Sequence, residues 1–124
     1  MKRTALYVLA LTALIPKQTL AQQPDFSTPE VAVQNFLEAV ANGDADLLAE
    51  CFAEDAEGEF TPIREKQLAD SDWAELQELF RDAEIIETVM AEDESTATVR
   101  VQLRQRSEAL YMTMEGSAWK IRGF

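Results

Sequence analysis

The chain has 124 residues, with 23 acids against 11 bases, a net charge of −12 and no histidine. Lack of histidine excludes His general bases, Ser-His-Asp and Cys-His arrangements and His-ligated metals, and a single cysteine excludes an internal disulfide or a Cys-based metal cage. So acidic a chain repels nucleic acid and anionic membranes, and 47% apolar residues with only four Gly and four Pro exclude a disordered or fibrous polymer.

Met1-Lys2-Arg3 is a basic start, followed by a mostly apolar run of 12 residues from Thr4 to Ile15. Pro16 ends the run, and Thr19-Leu20-Ala21 offers small residues at the −3 and −1 positions of a cleavage site. This layout predicts a secretory signal peptide over 1–21, removed after Ala21. A membrane-spanning helix needs about 20 apolar residues, and no Cys follows the run as an acylated lipoprotein requires. The expected address is a periplasm or the extracellular space, with no stable membrane insertion after cleavage and no cofactor. Three bases leave with the leader, so the remaining 103 residues carry eight bases against 23 acids, a charge of −15. That length suits one domain with one core.

Residues 22–27 form a polar lead-in. Thr28-Pro29-Glu30 has the cap, first-position proline and first-turn acid of a helix start. Val33, Phe36, Leu37 and Val40 follow on one face, and Asn42-Gly43 stops the helix. Asp44 can cap a second, shorter helix carrying Leu47, Leu48, Cys51 and Phe52, which makes a helical hairpin. Glu54 to Glu59 is an acidic loop. Thr61-Pro62 opens a helical turn reaching towards Leu68. Asp70-Ser71-Asp72 supplies caps ahead of Trp73, Leu76, Leu79 and Phe80, again at helical spacing.

Beyond Asp82 the period becomes two. Ile85 to Ala91 is the first predicted strand, and Glu92 to Ser95 a turn. Thr96 to Arg104 alternates, with Ala97, Val99, Val101 and Leu103 facing inward. Leu110, Met112 and Met114 share one face of a third strand, and Trp119 and Ile121 point inward from a fourth after the Glu115-Gly116-Ser117 turn. Helices first and an antiparallel meander second make an α+β domain over 28–124, with helices packed on one face of the sheet.

The run Ser27-Thr-Pro-Glu-Val-Ala-Val-Gln-Asn-Phe-Leu-Glu-Ala-Val-Ala-Asn-Gly-Asp44 resembles the first helix of nuclear transport factor 2-like domains. The Ala45–Phe52 segment continues the likeness, and Ser117-Ala-Trp-Lys-Ile-Arg-Gly-Phe124 resembles their closing strand. The superfamily includes ketosteroid isomerase, scytalone dehydratase, SnoaL-like cyclases and many exported proteins. The resemblance implies a cone-shaped cystatin-like fold, in which the N-terminal helices pack on a curved antiparallel sheet. It also implies an apolar pocket between the layers and, often, a homodimer. The superfamily's enzymes place an Asp, or an Asp and a His, with a Tyr inside the cone. No such set carries over, since His is absent and the inward positions of the last three strands are apolar.

Candidate site residues each have a sharp and a plain reading. Glu87 is the one strand-borne acid whose parity is open. Inside the cone it would be a desolvated general base; on the other face it is an ordinary solvated carboxylate. Cys51, on an apolar helix face with no base between Gln18 and Ile63, reads as a core thiol rather than a nucleophile. The acids from Asp44 to Glu59 lack the spacing of a calcium loop and read as a solvated surface; no metal site is expected. Phe36, Phe52, Trp73, Met112 and Trp119 line a small ligand pocket or simply fill the core. Arg100, Arg104, Lys120 and Arg122, with Tyr111 among them, alternate with inward residues and mark the outer sheet face as a basic patch. That patch is either solvated or an interface, for which Arg and Tyr are suited. The function expected is an exported small-ligand-binding or protein-interaction domain without catalysis. The alternative is an isomerase- or dehydratase-like enzyme acting on a small apolar substrate in the cone.

Overall fold

The computed structural model describes residues 24–124; the signal peptide expected over 1–21 lies outside the described residues. The order is α1 (Pro29–Asn42), α2 (Ala45–Glu50), a 3-10 turn (Gly58–Phe60), α3 (Thr61–Arg64), α4 (Asp70–Leu79) and strands β1 (Glu84–Met90), β2 (Thr96–Gln102), β3 (Ser107–Glu115) and β4 (Ala118–Gly123). The strands form one antiparallel sheet in the order β1-β2-β3-β4. The molecule is α+β, with an open four-stranded sheet.

The hairpin α1–α2 forms for the reasons legible in its sequence. Thr28 Oγ1 accepts from Val31 N–H at 3.2 Å, satisfying one of the free amides of the first turn, and Pro29 occupies the first helical position. Gly43 ends the helix at φ +66, a conformation that costs a residue with a Cβ. Asp44 then caps α2, its Oδ1 accepting from Leu47 N–H at 3.1 Å. The buried face of α1 comprises Ala32, Val33, Phe36, Ala39 and Val40.

α3 ends at Arg64, short of Leu68, because the chain turns through Lys66 at φ +61. In α4 the caps expected at Asp70, Ser71 and Asp72 are not caps. The helix starts one residue earlier, Ala69 holds the cap position without a side-chain bond, and Asp70 and Asp72 sit in the first turn. There they favour the positive end of the helix dipole. No residue of α4 is fully buried; Trp73, Leu76 and Leu79 pack half-covered against the core. Gln77 ties the helix to α1 by donating to the Val40 carbonyl at 3.0 Å.

Ala97, Val99, Val101 and Leu103 are buried as the alternation predicts, together with Leu110, Met112, Trp119 and Ile121. Met114 departs from the expected inward row and is exposed near the strand end. In β1 the parity is set by a bulge between Ile85 and Glu87: Ile85 opposes inward Val101, and Glu87 opposes outward Arg100. Two consecutive isoleucines are thereby accommodated, Ile85 facing inward and Ile86 taken up in the bulge.

The two sheet edges differ. β4 is covered: Trp119 N–H donates to the Phe26 carbonyl, Ile121 exchanges bonds with Cys51 and Ala53, and Glu57 N–H reaches Arg122. β1 pairs with β2 alone among the described residues, and its edge is interrupted by the bulge and by Glu84 and Glu87. Such features discourage unregulated strand addition.

The centre of the core is a cluster of phenylalanines. Phe36 meets Phe80 edge-on at 4.9 Å between centroids, and Phe124 lies 5.0 Å from Phe60, 5.5 Å from Phe80 and 5.9 Å from Phe36. Among the described residues no polar or charged side chain is buried.

Candidate functional site

The outer sheet face, away from the helices, is read row by row from the register. One row runs Val89, Thr98, Tyr111, and the next runs Glu87, Arg100, Ala109. Val89 is 56% and Tyr111 54% exposed, with Ile86 in the bulge at 50%. Val89 and Tyr111 border a shallow depression of 240 Å³ whose lining also includes Thr98 and Arg122.

The bases expected to make this face positive are each engaged within the chain. Arg100 pairs with Glu87 at 3.5 Å, and Arg122 with Asp55 at 3.7 Å. Lys120 bends to the covered edge, donating to the Glu50 carbonyl and lying 4.3 Å from the centroid of Phe26. Arg104 leaves the group altogether. β2 ends at Gln102, so Arg104 falls in the following turn and reaches Glu78 of α4 at 3.3 Å. The face is therefore one of paired charges around exposed apolar side chains. Alternation counts faces and not partners, which is why the pairing was invisible to it.

Glu87 stands on this exposed face with its carboxylate against a guanidinium. Its side chain is 55% exposed and lies outside any apolar cavity, so the setting of an enclosed general base is absent at this position. Cys51 is fully buried, and burial pushes its thiol from the ordinary range up to about 12 despite the opposing pull of Lys120. A thiol so held is a poor nucleophile. Among the described residues no group of three or more His, Cys, Asp or Glu is arranged to hold a metal ion.

Phe36, Phe52, Met112 and Trp119 come together inside the core, with Phe36 and Phe52 edge-on at 6.0 Å, and Trp73 packs against the cluster from α4. Beside them, on the helical side, a groove of 350 Å³ opens between α3 and α4. Its floor is Phe60, Ile63, Leu68, Leu76, Leu79 and Phe124, and its rim carries Glu59, Asp72 and Glu75. None of the five pocket residues expected from the sequence lines it. Phe60 and Phe124 were missed because they follow a loop and a strand, outside any amphipathic pattern. A second recess of 550 Å³ lies between the end of α4 and the β2–β3 turn and is crossed by the Arg104–Glu78 pair.

No helix among the described residues is long and apolar enough to cross a membrane. No protein-family model matches the chain, and no curated protein matches it significantly. The functional assignment therefore rests on the residues and geometry of this chain.

Proposed function

We propose that this chain is an exported, non-catalytic binding domain of the nuclear transport factor 2-like superfamily, with the cone-shaped cystatin-like fold. In this proposal it forms a homodimer through the outer face of its sheet. Helices followed by an antiparallel four-stranded meander suit that fold, and the basic, apolar and small-residue tripartition of residues 1–21 suits export.

The observation that carries the proposal is the outer face itself. Val89 and Tyr111 stand more than half exposed in one row, beside an acid and a base in the next. A two-fold contact is self-complementary by construction, and Glu87 next to Arg100 is a self-complementary pair: each can exchange its partner for that of the second copy. Tyr111 supplies the large, rigid contact that interfaces favour. The alternative of an enzyme working through Glu87 has less support, because a carboxylate on an ion-paired exterior lacks the environment of a general base.

Sedimentation of the protein recovered from an exporting host tests the proposal, with intact mass identifying Gln22 as its first residue. The wild type is expected to sediment as a dimer, and Tyr111→Asp as a folded monomer by circular dichroism. Raising salt should weaken the dimer only moderately, because the apolar row contributes alongside the charges. A wild type that stays monomeric at high concentration and at every salt overturns self-association through this face.

A further inference from the structure

We propose that the groove between α3 and α4 binds a small amphiphilic cation, an apolar body bearing one ammonium head. The groove lies on the helical side of the molecule, so the proposal stands apart from the association suggested for the outer sheet face.

Three features of the groove lead to this ligand. Its floor is apolar and aromatic, with the Phe60 and Phe124 rings tilted against each other at 5.0 Å between centroids and Leu76 and Leu79 lining the same groove. Leu76 and Leu79 are only half-buried, and α4 buries no residue completely, so apolar surface remains uncovered where the helix meets the groove. Burying such surface is favourable at about 25 cal/mol per Å². A volume of 350 Å³ lies within the range of small-molecule sites, about 300–1,000 Å³, and is too small for a folded partner.

The rim selects charge. Glu59, Asp72 and Glu75 come from three separate turns, the 3-10 turn and the first and second turns of α4, and line one groove. No base lines the groove. Of the bases near the groove in sequence, Lys66 pairs with Asp46 and Arg81 with Glu78, while Arg64 of α3 is half-buried and does not belong to the groove lining. Among the described residues none of the three rim carboxylates has an ion-pair partner, unlike Glu78 one turn further along α4. Helix stability accounts for Asp72, which sits in the first turn of α4. It does not account for Glu75, which has acids at 72 and 78 three residues to either side and no base at 71 or 79. An anionic ligand would be repelled by this rim, and a neutral apolar one would gain nothing from it. A cation over an aromatic floor gains from both.

The test is a titration of the isotope-labelled protein followed by backbone amide shifts, with three probes of the same body: 4-phenylbutylamine, 4-phenylbutanol and 4-phenylbutyrate. The amine is expected to shift amides of residues 60–68 and 72–80 saturably, about tenfold tighter than the alcohol, the sum of three exposed charge contacts. The butyrate is expected to leave them unmoved. Glu59→Gln with Asp72→Asn and Glu75→Gln should reduce the amine to the affinity of the alcohol. The double variant Glu59→Gln with Glu75→Gln spares the first turn of α4 and should give about a fivefold loss. A charge-matched control, Glu38→Gln with Glu92→Gln and Glu94→Gln, should stay within about twofold of wild type. The proposal is overturned by equal binding of amine and alcohol, by a control that weakens the amine as much as the rim variants, by shifts centred elsewhere, or by no saturable binding of any probe.

Discussion

Cys51 sits at the end of α2, where its backbone carbonyl accepts from Ile121 N–H while its thiol is enclosed by the core. Burial raises the thiol to about 12, so the unfolded chain, near the ordinary value of about 8.5, releases this proton first. The folded state then holds the extra proton between those values. Its contribution is fully present below about pH 8.5 and is lost as pH rises towards the folded value, at no more than about 1.4 kcal/mol per pH unit. At pH 7, Cys51→Ala is expected to cost about 1 kcal/mol through the small void it leaves. At pH 10 the wild type should lose about 1–2 kcal/mol that the variant does not, closing or reversing the gap, because only the wild type has this thiol to ionise. Urea denaturation at both pH values measures it, and a gap unchanged between them would contradict the enclosure of the thiol.

At the scale of elements, caps and strand parity show how far local patterns reach. Asp44 was legible as a cap because it stands alone between Gly43 and an apolar run, and the structure shows its carboxylate on Leu47 N–H. Asp70, Ser71 and Asp72 offered three candidates in a row, and helical spacing cannot choose among neighbours. The choice fell to Ala69, with the acids left to interact with the helix dipole. Asp44→Ala should therefore cost about 1 kcal/mol, the loss of a real cap, whereas Asp70→Ala should cost no more than about 0.5 kcal/mol. Equilibrium unfolding of the two variants side by side checks the order; equal losses would mean that α4 is capped by Asp70 after all. β1 teaches the same lesson. Ile85 and Ile86 cannot both alternate inward, and only pairing with β2 shows that a bulge absorbs the extra residue and turns Glu87 to the exterior.

For the whole molecule, the aromatic cluster is what joins the two layers. Phe36 comes from α1, Phe52 from the segment after α2, Phe60 from the 3-10 turn, Phe80 from the end of α4 and Phe124 from the chain beyond β4. Phe124 contacts the other four, with centroid distances from 5.0 to 6.5 Å. Phe124→Ala is expected to cost about 3 kcal/mol, since it empties the point where α1, α4 and the sheet converge. Phe26→Ala should cost less than about 1.5 kcal/mol, because that ring, partly buried like Phe124, lies at the covered edge outside the aromatic cluster and touches Lys120. Denaturant midpoints separate the two, and a Phe124→Ala protein within about 0.5 kcal/mol of wild type would refute the cluster as the joint.

The sequence by itself determined the α+β class, the hairpin of α1 and α2, the four-strand meander and most of the buried row from Ala97 to Leu103. These follow from short-range causes: periodicity, capping and turn chemistry act over a few residues and leave their mark locally. The tertiary structure alone decided which charges meet, which way Glu87 faces, and that Phe60 and Phe124 share a groove rimmed by Glu59, Asp72 and Glu75. Residues as distant in sequence as Phe60 and Phe124 become neighbours only when the chain closes on its core, and no local pattern records that closure.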